Sequence, residues 1–235
     1  METVRTGDRQ LETLRVYGGL VEVREDWGGG LALCCGEGCA ASGVSVAVSI
    51  AGGATLLIDG DAAEVKAAMR RGEIDFVVNT LDEAMRALKN QVRLRRPLSV
   101  GLTVEVGGAL PEMVERGVLP DVLLIGAKQN ADAILTDKSI GALRAMGMGL
   151  RSMMKAGDER CGTGYSSKRY EEVFLPAATS VELRAVDERV LAILSADDVV
   201  RRRWMQRVGN YIREARNNGG RWVWLTEEER RQICG

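Results

Sequence analysis

The stretch that decides the fold is LALCCGEGCAASGVSVAVSIAGGATLLIDGD, residues Leu31–Asp61. It opens with LALCC, a short continuous apolar run that is typical of a strand buried on both faces of a sheet. The small residues at 38–52 predict a helix that packs closely on that strand, and ATLLID at 54–59 predicts a second buried strand ending in an acid. Strand, glycine turn, helix and strand follow one another here as in a βαβ unit.

The same alternation continues for three more strands. Helices are predicted at 62–72, 81–96 and 110–117, and strands at 74–79, 98–103 and 120–126. The clearest helix start is Thr80, which stands three residues before Glu83 and so predicts a capping box. Parallel strands need such crossovers, so the pattern predicts an α/β fold. Its expected form is a doubly wound, mainly parallel Rossmann-like sheet with helices on both faces and a helical segment before a final strand.

The domain organisation follows from where this rhythm begins and ends. Two apolar stretches flank Gly18 and Gly19, which predicts a hairpin near the N-terminus. We expect four segments: an N-terminal hairpin and glycine joint at 1–30, a Rossmann-like dinucleotide-binding core at 31–126, a mostly helical segment at 127–220 with loops at 147–149 and 161–167, and a final strand and C-terminal turn at 221–235 packing on the core.

Composition and charge exclude several classes of function. The chain has 235 residues, enough for a substantial core, and 32 basic against 33 acidic residues give a net charge of -1. That balance gives no general attraction to nucleic acid or anionic lipid. The N-terminus lacks the apolar core of a secretory signal, and the weakly polar run at 40–58 changes its period midway, unlike a membrane span. The sequence therefore predicts a cytoplasmic protein that binds neither nucleic acid nor membrane.

Cysteine and histidine usage limits the chemistry further. Five cysteines at irregular spacing, without a secretory signal, predict reduced thiols. We expect Cys34 and Cys35 to point to opposite faces of a strand as small apolar residues. Cys39 is either buried in the same way or a thiol with a lowered pKa at a helix N-terminus. The absence of histidine excludes His-based triads and His-ligated zinc, and no metal site is predicted.

The turn from Gly36 to Ala41 fits the dinucleotide fingerprint G-x-G-x-x-G/A. Gly36 permits the tight turn, Gly38 leaves room for a pyrophosphate and Ala41 lets the following helix pack closely. Asp59, at the end of the second strand, is placed to hydrogen-bond the ribose hydroxyls and to repel a 2′-phosphate, which favours NAD over NADP. The alternative is that the glycines only permit the turn and Asp59 caps the next helix.

Three further segments carry candidate residues. The loop with Lys128, Gln129, Asn130 and Asp132 follows the fifth strand, where open sheets place ligand loops, or is a solvated polar loop. The glycine-dense run at 161–165 is a lid, a second anion loop or a connector.

The C-terminal aromatic residues indicate a homodimer contact. The neighbouring basic residues indicate a solvated face or a docking site for acidic residues of a partner subunit. The residues concerned are Trp204, Tyr211, Trp222 and Trp224, and Arg201, Arg202, Arg203 and Arg207.

Two long stretches resemble one known family. AGGATLLIDGDAAEVKAAMRRGEIDFVVNTLDEAMRALKN (51–90) and RPLSVGLTVEVGGALPEMVERGVLPDVLL (96–124) resemble the NAD-binding domain of urocanase. The resemblance implies a Rossmann-type domain that holds NAD+ tightly, as the electrophile in urocanate hydration rather than as a hydride carrier. It also implies that Gly101, Thr103 and Glu105 line the nicotinamide half.

The sequence departs from that family after Pro120-Asp121. The family has a histidine-bearing motif there, and this chain matches it only in part, at Gln129, Asn130 and Asp132. The surrounding urocanase core domain also has no counterpart in these residues. We therefore expect an NAD+-binding Rossmann-type protein without complete urocanate hydratase activity, lyase-like if active, that binds a dinucleotide and a small-molecule substrate. The alternatives are a non-catalytic nucleotide-binding or assembly protein forming a homodimer, and a subunit of a two-component hydratase or lyase.

The turn and the resemblance together define the predicted cofactor-binding residues, and no catalytic residue is assigned. They are Gly36, Gly38, Cys39, Ala41, Asp59, Gly101, Thr103, Glu105, Gly126, Gln129 and Asn130.

Overall fold

The computed structural model describes residues 6–125, 134–151, 169–212 and 219–234. The chain divides into two compact units. The sheet unit is Asp26–Cys161, and the terminal unit combines Met1–Glu25 with Gly162–Gly235. The first element of the chain, α1 (Thr6–Val23), therefore belongs to the same unit as the C-terminal residues.

Within the described residues, the sheet unit is built on six strands that all pair in parallel. The strands are β1 (Leu31–Cys35), β2 (Ala54–Ile58), β3 (Phe76–Val78), β4 (Leu98–Leu102), β5 (Val122–Ile125) and β6 (Gly149–Arg151). Their order is β3-β4-β2-β1-β5-β6, so the chain fills one side of β1 first and then the other. The predicted doubly wound parallel sheet is confirmed, and β6 begins where the sequence indicated only a loop.

Helices cover both faces of this sheet. They are α2 (Val44–Ala51), α3 (Ala62–Arg70), α4 (Leu81–Arg93), α5 (Val106–Glu115) and α6 (Lys138–Ala145). One face buries an apolar cluster against α4, α5 and α6, with Leu33 and Leu56 among its members. On the other face Val65 of α3 lies against Gly101 of β4. In the part of the chain that the structure describes, no helix combines the length and the apolar character needed to cross a bilayer.

The predicted capping box at α4 is confirmed. The Glu83 backbone N–H donates to Thr80 Oγ1 at 3.3 Å, and the Thr80 N–H donates to the Glu83 carboxylate at 3.2 Å. This arrangement satisfies two backbone donors that a helix N-terminus otherwise leaves without partners. The helix therefore begins where the sequence predicts it.

Two other helix starts differ from the prediction. The helix expected from residue 38 begins only at Val44, because the residues before it form successive turns and Gly43 is left-handed at φ 69°. The helix expected from residue 110 begins at Val106 and contains Pro111 in its interior. A proline inside a helix removes one backbone hydrogen bond, and here the remaining bonds carry the helix past it.

The predicted N-terminal hairpin is wrong, because residues 6–23 form α1. The buried positions recur every three or four residues, which is the period of one helix face. They are Gln10, Thr13, Leu14, Tyr17, Leu20 and Val21. Gly18 and Gly19 lie inside the helix without ending it, although a glycine there costs about 1 kcal/mol relative to alanine. Burial of the apolar face outweighs that cost.

The terminal unit has its own small sheet. Strands β7 (Glu171–Pro176) and β8 (Gly220–Leu225) pair antiparallel, and α7 (Ser180–Ile193), α8 (Val199–Tyr211) and α9 (Glu227–Cys234) complete the unit with α1. The prediction that RWVWLT packs as a final strand on the Rossmann-like core is therefore wrong. The aromatic residues of β8 find partners in their own unit, where Trp222 packs on Phe174 at 5.2 Å between ring centroids and Trp224 on Tyr17 at 6.1 Å.

The aromatic and basic residues near the C-terminus serve the interior of this unit. Trp204 and Trp224 are buried, and both pack on Tyr17. The Arg201 side chain is 6% exposed and makes ion pairs with Asp198 at 2.6 Å and Glu229 at 2.5 Å. Trp204, Trp224 and Arg201 are therefore not the exposed interface residues that the sequence suggested, because their partners lie within the same chain.

Candidate functional site

The strand register brings four residues into a row at the carboxyl edge of the sheet. Cys35 pairs with Ile58, Ile58 with Leu102, and Leu102 with Val78. The residues that follow these strand ends are Gly36, Asp59, Thr103 and Asn79. Neighbouring strands lie about 4.8 Å apart, so the row extends from the glycine turn to the sheet edge within the reach of one extended ligand.

The glycine turn has the backbone that the fingerprint requires. Gly36 has φ 103° and Gly38 has φ 87°, conformations that residues with a side chain rarely adopt. Glu37, between them, is exposed, so its charge need not lie inside the turn. The turn also lies at the end of β1, whose neighbour β5 belongs to the other half of the sheet. Open α/β sheets bind their ligands at this kind of switch point.

Several backbone donors of the turn are already used within it. The N–H groups of Cys39 and Ala41 donate to the carbonyls of Gly36 and Gly38, each at 3.2 Å, and the N–H of Ser42 donates to the Cys39 carbonyl at 3.3 Å. These bonds form the turns that delay the start of α2. In this conformation the donors face the turn rather than a ligand.

Asp59 lies beneath the turn and is 0% exposed. Its carboxylate accepts hydrogen bonds from the backbone N–H of Asp61 at 3.0 Å and of Ala40 at 3.5 Å. Burial raises the pKa of Asp59 above its usual range, although hydrogen bonds from the backbone of Asp61, Ala40 and Gly38 oppose that shift. In this conformation Asp59 stabilises the turn.

The alternative role for Asp59, capping the next helix, belongs to a neighbour. Asp61 is the N-cap of α3, and its Oδ1 accepts from the N–H groups of Ala63 and Glu64 at 3.0 Å each. The ribose contact of Asp59 stays a prediction, and it requires the carboxylate to become accessible.

A disulfide bond joins Cys34 to Cys39, with the two Cα atoms 6.0 Å apart. The prediction of reduced thiols is wrong for this pair. Cys35 belongs to the apolar cluster on one face of the sheet, and strand alternation directs Cys34 to the other face, where the turn folds back. Cys35 is a free, buried thiol, and burial together with the charge of Asp137 raises its pKa to about 12.

Thr103 and Asn79 form a polar pair at the ends of β4 and β3. Thr103 Oγ1 lies 3.0 Å from Asn79 Oδ1 and 3.3 Å from the Val78 carbonyl oxygen, and it can donate to either. The Asn79 side chain is exposed, so its amide group can reach a ligand at this edge. Thr103 thus lies directly beyond β4, and its contact with the nicotinamide half stays a prediction.

Glu105 reaches across the neighbouring strand end. A Cβ added to Gly60 would lie 2.7 Å from Glu105 Oε1, so the space beside Gly60 is taken by this carboxylate. Glu105 is exposed and follows β4, directly before α5. With Asp61 it places two exposed carboxylates beside the row.

Gly101 has a different role from the one that the resemblance implied. It is buried inside β4, and a Cβ there would lie 2.6 Å from Val65 Cγ1 and 3.5 Å from Ile74 Cδ1. Glycine at this position therefore allows α3 to approach the sheet. Packing alone explains the residue.

Some predicted residues cannot be placed. Gly126, Gln129 and Asn130, with Lys128 and Asp132, lie outside the described residues, as does the run at 161–167. Three described residues escaped the sequence analysis, namely Asn79, Gly60 and Asp61. Asn79 could have been found, because it is the last residue of a predicted strand. Gly60 could not, because its role depends on the position of the Glu105 side chain.

An open parallel sheet, a central strand ending in a left-handed glycine turn, and polar residues along the same edge define a Rossmann-type domain. The comparison with protein families agrees: residues 12–126 match the urocanase family model described as the urocanase Rossmann-like domain. The match covers the glycine turn and β1 to β5, a little under half of the chain. It confirms the resemblance to the NAD-binding domain of urocanase over this range.

Proposed function

We propose that this protein binds NAD+ at the carboxyl edge of the sheet unit, with the pyrophosphate over the turn at Gly36 and Gly38. The observation that carries the proposal is the left-handed conformation of both glycines at the end of the central strand, within the segment that matches the urocanase Rossmann-like domain.

The charge at the edge favours NAD+ over its 2′-phosphorylated form. Asp59, Asp61 and Glu105 are all carboxylates at or beside the ends of β2 and β4. A 2′-phosphate placed among them would meet like charges, whereas ribose hydroxyls can donate hydrogen bonds to them. We expect affinity for NAD+ to exceed that for NADP+.

Bound NAD+ would supply an electrophilic or hydride-accepting nicotinamide ring, while the chain holds and orients it. The chain has no histidine and departs from the urocanase motif after Asp121. These two facts support cofactor binding without complete urocanate hydratase activity. The small-molecule substrate, the homodimer and the cytoplasmic location remain predictions. Trp204 and Trp224 no longer support the homodimer, because both side chains are buried.

The direct test is to look for bound nucleotide and for stabilisation by added nucleotide. The purified protein, with and without excess dithiol reductant, is denatured and its supernatant is analysed for NAD+ by mass spectrometry. Thermal unfolding is then followed with NAD+, NADH and NADP+. A ligand at 100 times its Kd stabilises by about 2.7 kcal/mol, or roughly 5–10 °C for a chain of this size. The proposal would be refuted if neither bound nucleotide nor stabilisation were found in both buffers, with and without reductant.

A pair of glycine variants separates binding from backbone strain. Gly38→Ala adds a Cβ at φ 87°, where the pyrophosphate must approach. Gly72→Ala adds one at φ 77°, where nothing lies within 4 Å. Each change places alanine in a left-handed conformation, at a cost of about 1–2 kcal/mol. Both variants should lose this stability, but only Gly38→Ala should also weaken NAD+ binding. Equal NAD+ affinities of the two variants would contradict the assignment.

A further inference from the structure

The Cys34–Cys39 disulfide encloses the two glycines of the dinucleotide turn. Cys34 is fixed in the central strand β1, while Cys39 lies in the turns that precede α2. The bond therefore ties the first residues after Gly38 to the sheet. Both cysteines are buried, whereas Glu37 is exposed and Gly38 is partly exposed.

In the disulfide form, the backbone N–H groups of the turn already have hydrogen-bond partners within the protein. The N–H groups of Cys39, Ala41 and Ser42 donate to carbonyls within the turn, and that of Ala40 donates to Asp59. A pyrophosphate is recognised at such a turn by free N–H groups of the first helical residues. Binding to the disulfide form would therefore require several of these hydrogen bonds to break first.

We propose that Cys34 and Cys39 form a thiol–disulfide exchange site that controls dinucleotide binding, the dithiol form being the one that binds. The inference rests on the proposed function, because it regulates the same site. The disulfide form corresponds to the conformation described above, in which α2 starts at Val44.

The sequence of the tied segment supports a rearrangement on reduction. Residues 39–42 are Cys, Ala, Ala and Ser, and alanine is the residue that favours a helix most. The same stretch is predicted as helix from its composition, and in the structure it forms turns instead. Once Cys39 is released from β1, these residues can join α2 and bring its N-terminus to Gly38, provided that Gly43 changes from φ 69° to a helical conformation. The freed N–H groups then face the ligand.

The exchange step is balanced by an external dithiol. A thiolate of the dithiol attacks one sulfur of the pair, the S–S bond breaks, and the other cysteine leaves as a thiolate that takes up a proton. The second thiol of the reductant then attacks the reductant sulfur of the mixed disulfide, and the remaining cysteine leaves as a thiolate that takes up the second proton. Two electrons and two protons pass to Cys34 and Cys39, and the reductant leaves as a disulfide. Because both cysteines are buried, attack requires local opening of the turn.

The first experiment measures NAD+ affinity by calorimetry in the two redox states of the whole chain. Non-reducing peptide mass spectrometry assigns the state beforehand. We expect the dithiol form to bind at least about tenfold more tightly, which corresponds to about 1.4 kcal/mol, the scale of one net hydrogen bond. Equal affinities, tighter binding by the disulfide form, or failure of the Cys34–Cys39 bond to form would overturn the inference alone. Failure of both redox states to bind would refute the proposed function as well.

The second experiment uses the reciprocity of linked equilibria. If reduction raises NAD+ affinity by a given factor, NAD+ must favour the dithiol over the disulfide by the same factor. A titration with dithiothreitol, read by alkylation and mass spectrometry, should shift accordingly when NAD+ is present. An unshifted titration with tightly bound NAD+ would overturn the inference.

Two variants complete the test. Cys34→Ser cannot form the bond, so it should bind NAD+ like the reduced protein and should not respond to oxidants. Cys35→Ala removes the adjacent buried thiol but keeps the pair, so it should respond to oxidation as the wild type does. A response to oxidants that persists in Cys34→Ser would overturn the inference. The wild-type titration stands even where one variant fails to fold.

Discussion

Gly101 offers the sharpest test of whether a residue at this edge serves packing or the ligand. A Cβ added there would lie 2.6 Å from Val65 Cγ1, whereas carbon atoms in ordinary contact lie about 3.5–4.0 Å apart. In Gly101→Ala, α3 and β4 must therefore separate by about 1 Å, or Val65 must leave its rotamer. Overpacking of this kind costs about 1–3 kcal/mol.

The expected result is a loss of stability without a loss of affinity. Urea denaturation should show a smaller free energy of unfolding by about 2 kcal/mol, and thermal unfolding a Tm lower by roughly 4–8 °C. NAD+ affinity, measured below the unfolding transition, should be unchanged because Gly101 lies inside β4 and is covered by Val65 of α3. Unchanged stability with weakened NAD+ binding would refute the packing argument and restore Gly101 to the ligand site.

A second-site change sharpens the same prediction. Val65 is fully buried, and Val65→Ala removes the methyl group that a new Cβ at Gly101 would meet. Each single variant should be destabilised, but the double variant should lose less than the sum by about 1 kcal/mol or more. Additive losses would mean that the contact with Val65 is not the cause.

The remaining predictions concern charged and buried groups. Arg201→Met leaves the half-buried carboxylates of Asp198 and Glu229 without their cation, so urea denaturation should show a loss of about 3 kcal/mol, the lower end of the cost for a fully buried pair. Burial alone would raise the pKa of Glu229, but hydrogen bonds, chiefly from Arg201, hold it below its usual range. The ion pair should therefore stabilise the protein fully above the ordinary carboxyl pKa, and this stabilisation should fall as the pH drops through the lowered pKa. Arg201→Met should lack this pH dependence. Burial raises the pKa of Asp59, so the wild type should lose stability relative to Asp59→Asn as pH rises from the ordinary pKa through the raised one; parallel pH profiles would contradict this. Cys35, with its pKa raised to about 12, should resist iodoacetamide at neutral pH until the protein unfolds, and rapid alkylation of the native protein would show that it is accessible.

The sheet could be predicted from the sequence because its signals are local. LALCC and ATLLI are continuous apolar runs, and both are buried along their whole length. Thr80 and Glu83 form their capping box within one turn of helix. Where a few neighbouring residues determine an element, its position follows from the sequence, as it does for β1, β2 and α4.

The errors arise where distant residues decide. Gly18 and Gly19 resemble a turn, but the buried face of α1 becomes stable only against residues of the terminal unit far along the chain. Residues 38–43 have a composition typical of a helix, but they form turns. In this conformation Cys39 is joined to Cys34 by a disulfide bond, which the composition does not indicate. RWVWLT reads as a strand from its sequence, but its strand partner is β7.

The candidate site was predicted in part for the same reasons. The positions of Gly36 and Gly38 follow from a short motif, and the structure gives both the left-handed backbone that the motif implies. The surroundings of Asp59 depend on which N–H groups lie above it, and the role of Gly101 depends on a helix that approaches from the opposite side. Neither could be derived from the residue types alone.

The division of the chain makes one unit an insertion within the other. Tyr17 of α1 donates its hydroxyl proton to the Val200 carbonyl, a partner 183 positions later in the sequence. During synthesis α1 must wait for that partner while the whole of Asp26–Cys161 is made and can fold.

The folded sheet unit fixes the distance between Asp26 and Arg151, and this lowers the entropy lost when α1 joins its distant partners. The stability of the terminal unit is thereby tied to that of the sheet unit through chain connectivity. A mutation that unfolds the parallel sheet should consequently loosen the small antiparallel sheet as well, without altering any residue in it.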